Sequence, residues 1–85
     1  MVASLAGPRR LHDSVRELIE AQIRTGELPP GSRLQSERDL AERLGVSRVT
    51  LRRALDSLQR EGFLEAAPGS GRYVRATALA EPPNA

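Results

Sequence analysis

With 85 residues the chain is one small domain at most, able to bury one modest core. It has no cysteine and a single histidine, His12, which excludes a disulfide framework, a thiolate metal site and a histidine-built zinc site, so no metal or cofactor is expected. The formal net charge is only +2, yet all 13 basic residues are arginine, and the isoelectric point is about 10.4.

Arginine suits bidentate contacts with phosphate and guanine. A GC-rich genome would give the same composition, so position carries the argument. From Val46 to Leu55 there are three arginines and no acid, whereas Leu11 to Ser32 holds four acids and two arginines. A basic patch therefore sits on one element. Apolar runs are too short to span a bilayer, and the start lacks the apolar region of a secretory signal. The expected location is the cytoplasm, at the nucleoid.

Residues 1–10 contain small residues, Gly7-Pro8 and two arginines, and are expected to form a flexible N-terminal arm. Leu11, Val15, Leu18, Ile19 and Ile23 recur at helical spacing and mark the apolar face of a first helix, with Asp13 or Ser14 as its cap. Gly26 ends it, and Pro29-Pro30-Gly31 makes a stiff turn. Ser32, Arg33 and Leu34 are placed as a very short strand.

Ser36, with Asp39 three residues on, predicts the cap of a second helix with Leu40, Ala41 and Leu44 inward. Gly45 stops it and Val46 fills the corner. Ser47 predicts the cap of a third helix, over about 47–61, with Leu51, Ala54, Leu55 and Leu58 inward and Gly62 at its end. Helix, glycine-containing turn and helix at this spacing form a helix-turn-helix. Two short strands then flank Pro68-Gly69-Ser70-Gly71, with Phe63, Leu64 and Tyr73 expected to complete the core.

The expected fold class is α+β, mainly α: a three-helix winged helix-turn-helix with a C-terminal β-hairpin wing. The domain spans 11–75, and 76–85 is expected to be a disordered tail or truncated linker, having two prolines and little to bury.

On a helical wheel, Val49, Arg52, Arg53, Asp56 and Arg60 oppose the leucines of the third helix. Ser47 and Arg48 project from its N-terminus. A recognition helix presents its N-terminal side chains to base edges in the major groove. Arg48 and Arg52 reach guanine or phosphate, and Ser47 and Thr50 can donate to phosphate oxygens, which the free N–H groups of the helix end also favour. Val49 suits a thymine methyl, or is an ordinary surface valine. Arg60 fits a solvated pair with Asp56, and Arg53 is open between that role and DNA. In the wing, 68–72, the glycines allow close approach to the minor groove, with Arg72 projecting near the tip.

The motifs Ser36-Glu37-Arg38, Gly45-Val46-Ser47-Arg48, Arg52-Arg53-Ala54-Leu55, Glu61-Gly62 and Gly69-Ser70-Gly71 occur in order. Together, across Leu11 to Val74, the chain resembles the GntR family of bacterial transcription regulators. The resemblance implies a winged helix-turn-helix that binds an inverted-repeat operator in double-stranded DNA as a homodimer, most often as a repressor. It adds Arg38 to the DNA-binding set, matches Ser47, Arg48, Thr50 and Arg52 to the family's polar contacts, and puts Gly69, with Ser70 and Gly71 beside it, at the minor groove. Gln35 stands where the family usually has proline, and Arg53 where many members have glutamate. Ala66 and Ala67 occupy positions that are often basic, and Arg72, where threonine is common, returns a charge to the wing.

The family usually continues into a C-terminal domain that binds an effector and forms the dimer. The chain is accordingly expected to be the N-terminal domain of such a parent, monomeric or weakly dimeric when isolated. The alternative of another class is a winged-helix protein-interaction module, which would need an apolar centre where this helix carries Arg48, Arg52 and Arg53. An enzyme is not expected: the acids fit caps and solvated faces, and His12 fits the surface.

Overall fold

The computed structural model describes residues 8–67, 69 and 71–76. Helix α1 spans Pro8–Thr25, starting three residues earlier than its apolar periodicity suggests. Proline at the first helical position has no N–H to leave orphaned, and its fixed φ suits the helix. Asp13 and Ser14 consequently lie inside α1 and cap nothing. Of the expected arm, residues 8–10 are helical. The rest of the arm, Pro68, Ser70 and the tail from 77 onward lie outside the described residues.

Helix α2, Glu37–Leu44, begins at Ser36, whose side-chain oxygen accepts the Asp39 backbone N–H at 3.1 Å. Gly45 closes it with φ 73° and donates back to the last turn. That left-handed conformation is cheap only for glycine. Three residues then separate α2 from helix α3, Arg48–Arg60. The Val46 N–H returns to the Ala41 carbonyl at 3.1 Å, which fixes the turn.

Strands β1, Leu64–Ala67, and β2, Gly71–Val74, pair antiparallel with Leu64 opposite Val74 and Ala67 opposite Gly71. The stretch 31–34 lines the free edge of β2. There Val74 N–H donates to the Ser32 carbonyl at 2.8 Å, Leu34 N–H donates to Arg72, and Arg33 bridges Tyr73. The expected third strand is thus a single bridge with flanking hydrogen bonds.

The core runs through every element: Val15, Ile19 and Ile23 of α1, Leu34 of the segment before α2, Leu40 and Ala41 of α2, Leu51, Ala54, Leu55 and Leu58 of α3, and Leu64 and Val74 of the hairpin. Three expected core positions differ. Leu11 and Leu18 are each 44% exposed, because Val15, Ile19 and Ile23 already fill the α1–α3 seam. Tyr73 is only half-buried and Val74 takes the interior, since neighbours on a strand face opposite sides and Val74 pairs with Leu64. Phe63 packs partly against the core and places its ring 5.4 Å from the Arg24 guanidinium, a cation–π contact.

An ion pair joins α1 to the C-terminal end of α3. Arg16 donates two hydrogen bonds to the Glu61 carboxylate. Those bonds hold Glu61 below the ordinary glutamate value and raise Arg16. A lowered carboxylate pKa adds stability above the unfolded value and loses it as pH falls through the folded one.

Two outcomes are expected. Leu58→Ala, at a site with no exposure, lowers unfolding free energy by about 3 kcal/mol in urea titration. Glu61→Gln lowers the melting temperature at pH 7, and its gap from the parent closes as pH drops well below 4.5; a gap that persists at pH 3 would assign the loss to something other than the charge.

Candidate nucleic-acid interface

The N-terminus of α3 is built by Ser47. Its oxygen accepts the Thr50 backbone N–H at 3.0 Å, and its hydroxyl donates to Thr50 Oγ1 at 3.0 Å. Ser47 is therefore committed to the helix, and the Thr50 O–H is the hydroxyl left to donate outward. Arg48 and Val49 follow on the exposed face, Val49 at 62% exposure. No carboxylate forms an ion pair with Arg38, Arg48 or Arg53 among the described residues.

Three elements close around an open groove of about 330 Å³. Arg38 comes from α2, Arg48 from α3, and Gly69, Gly71 and Arg72 from the wing. Three stretches separated in sequence thus share one surface. Gly69 and Gly71 have φ of 78° and 89°, a left-handed backbone that glycine adopts without steric cost.

Arg52 and Arg72 behave differently from the other arginines. Arg52 grips Glu37, the first residue of α2, with Nη2 at 2.7 Å and Nε at 3.2 Å from one carboxylate oxygen. Arg72 does not project from the tip as expected. Pairing Ala66 with Arg72 puts its side chain on the same hairpin face as Leu64 and Val74, toward α3. Its guanidinium lies 3.0 Å from Asp56 and 3.6 Å from the second oxygen of Glu37. Asp56 is thereby taken by the wing, and the expected pair with Arg60 does not form; among the described residues Arg60 reaches Ser57, at 3.4 Å. One amino nitrogen of Arg72, Nη1, is buried without a partner among the described residues.

The hydrogen bonds from Arg52 hold the Glu37 carboxyl below its ordinary value, with Arg72 and Arg48 adding Coulombic pull. The same bonds raise Arg52. Glu37 is thus the interface residue that the motif reading passed over. Its signal was the Ser36-Glu37-Arg38 order: neighbours on a helix point about 100° apart, so Glu37 and Arg38 meet different surroundings.

Arg53 stands outside the groove and lines a separate hollow of about 190 Å³ with His12, Asp56, Ser57 and Arg60. Ser70 lies outside the described residues. Among those described, no cluster of three or more His, Cys, Asp or Glu could hold a metal ion, and no helix is long and apolar enough to cross a membrane.

The family model described as "Bacterial regulatory proteins, gntR family" matches residues 11–74. The chain belongs to this family. It is 48% identical over 67 residues to the HTH-type transcriptional regulator Rv0494 of Mycobacterium tuberculosis, covering 79% of this chain and 28% of the relative. It is 44% identical over 69 residues to the Mannosyl-D-glycerate transport/metabolism system repressor MngR of Escherichia coli, covering 81% of this chain and 29% of that one. The chain therefore spans less than a third of these relatives.

Among solved structures, the DNA-binding domain of AraR in complex with operator ORR3 superposes with a TM-score of 0.75 at 30% identity, covering 87% of both chains. A transcriptional regulator from Oenococcus oeni superposes at 0.81 with 19% identity, covering 94% of this chain and 65% of that one, and supports the fold alone. The fold of this GntR-family chain is the winged helix-turn-helix.

Ser47→Ala removes the acceptor that satisfies the Thr50 N–H at the entry to α3. The expected cost is about 1 kcal/mol in thermal or urea unfolding. A variant as stable as the parent would mean that another group takes over this N–H.

Proposed function

We propose that the chain is the sequence-specific double-stranded DNA-binding domain of a transcription regulator, with α3 in the major groove and the glycine tip of the wing beside the minor groove. The observation that carries the reading is the surface where Arg38, Arg48, Gly69 and Gly71 converge, with both arginines free of carboxylate partners among the described residues. Unpaired guanidiniums attract phosphates, whereas paired ones must first be released. The base-reading set is Arg48, Val49 and Arg52, with Thr50 and Arg38 on the backbone. Arg53, on its own side of α3, suits a phosphate contact, and Ser70 completes the wing tip.

The complex of the AraR DNA-binding domain with operator, at 30% identity over most of both chains, supports this reading. MngR, and NagR of Bacillus subtilis, are named repressors, and repression is the regulatory direction proposed here. The proposed site of action is the cytoplasm. The full-length parent is proposed to bind an inverted repeat as a homodimer and to carry its effector site in a further domain, leaving the isolated domain monomeric or weakly dimeric. The domain itself has no catalytic role in this reading.

Selection from a randomised duplex pool, followed by fluorescence anisotropy on the selected duplex, tests it. The parent is expected to enrich a short motif and to bind more weakly as salt rises. Arg48→Ala is expected to lose about 1–3 kcal/mol of discrimination while weak non-specific binding survives. A parent that ignores DNA at low salt would overturn the proposal and favour a protein-docking role for this face.

A further inference from the structure

The cationic side chains of this face fall into two sets with different chemistry. Arg38 and Arg48 have no carboxylate partner among the described residues. Arg52 and Arg72 share the two oxygens of Glu37, and Arg72 also holds Asp56. Two positive and two negative charges make the second set locally neutral. It adds little to the general attraction for phosphate, and its value lies in geometry.

We infer that Glu37 is a positioning residue for base readout: its carboxylate ties Arg52 of the recognition helix and Arg72 of the wing into one arrangement. This rests on the DNA-binding reading above. Three features carry it. Glu37 is the first residue of α2, capped one position earlier by Ser36, so its backbone is fixed. It takes Arg52 through both Nε and Nη2, with Nε reaching both carboxylate oxygens, and these contacts restrict the plane of the guanidinium. Its other oxygen lies 3.6 Å from Arg72, which reaches Asp56 one turn further along α3.

A long side chain loses rotamer freedom when it binds a base edge. Arg52, 54% exposed yet held by Glu37, has given up part of that freedom before DNA arrives. The hold also keeps Arg52 and Arg72 from pairing indiscriminately with phosphates.

The consequence has an unusual sign. Removing an acid from a DNA-facing surface ordinarily strengthens binding to every sequence. If Glu37 positions Arg52, Glu37→Gln strengthens non-specific binding and weakens discrimination together.

The test uses the duplex selected by the parent chain and a scrambled duplex, each over a salt series. Glu37→Gln is expected to bind the scrambled duplex severalfold more tightly, with a salt slope steeper by about 1 for each newly contacted phosphate. The ratio of selected to scrambled affinity is expected to fall about tenfold, within the worth of one good base contact. In an Arg52→Ala background the same substitution is expected to leave the ratio unchanged, because the group it positions is gone. A helix-stabilising role for Glu37 would show as a lower melting temperature, with the ratio falling equally in both backgrounds, and would overturn the inference. Equal strengthening on both duplexes, or a ratio that rises, would also overturn it. A parent that cannot discriminate the two duplexes overturns the DNA reading itself, and this inference with it.

Discussion

Helix α3 can offer one face to a ligand because its other face is fully committed. Leu51, Ala54, Leu55 and Leu58 are each no more than 2% exposed, and every other element packs toward them. Ile19 and Ile23 of α1, Leu40 and Ala41 of α2, and Leu64 and Val74 of the hairpin share that core. Burying four side chains at helical spacing fixes rotation about the helix axis. Once rotation is fixed, Arg48, Val49 and Arg52 have to face outward. In so small a domain the core and the binding face are thus one decision, since a side chain moved on the inner stripe would turn the outer one.

The elements that local chemistry specifies were legible in the sequence. Ser36 and Ser47 cap the helices assigned to them, and Gly45 makes the left-handed stop between them. These features need only neighbours within a turn, so no tertiary information is missing. The hairpin was legible as a hairpin, but its facing was not. Whether Tyr73 or Val74 points inward depends on register, and register depends on Leu64 meeting Val74 across the sheet. The same parity turned Arg72 from the solvent to α3. At α1 the apolar stripe was broader than the seam it covers, which left Leu11 and Leu18 partly outside.

Charge was legible in amount and only partly in use. Counting arginines along α3 finds the basic patch, yet it cannot separate Arg48 from Arg52. Glu37 makes that separation, 15 residues away in sequence and on another helix. Long-range ion pairs leave no periodic signature, so the motif reading named Arg38 and passed over the glutamate beside it.

The wing shows how a marginal element becomes a fixed one. Two four-residue strands have little stability alone in water. This hairpin is held on three sides. Its base is buried through Leu64 and Val74, its outer edge is hydrogen-bonded to the 31–34 segment, and its Arg72 reaches Asp56 and Glu37. The Arg72 hold leaves its buried Nη1 without a partner among the described residues, and a buried donor left unsatisfied costs on the order of 1–3 kcal/mol. An apolar side chain at this position would avoid that cost, but it could not reach two acids on two different helices. The ion pairs therefore make sense chiefly as a means of fixing where the wing stands relative to α3, and that relation sets the shape of the groove between Arg38, Arg48 and the glycine tip.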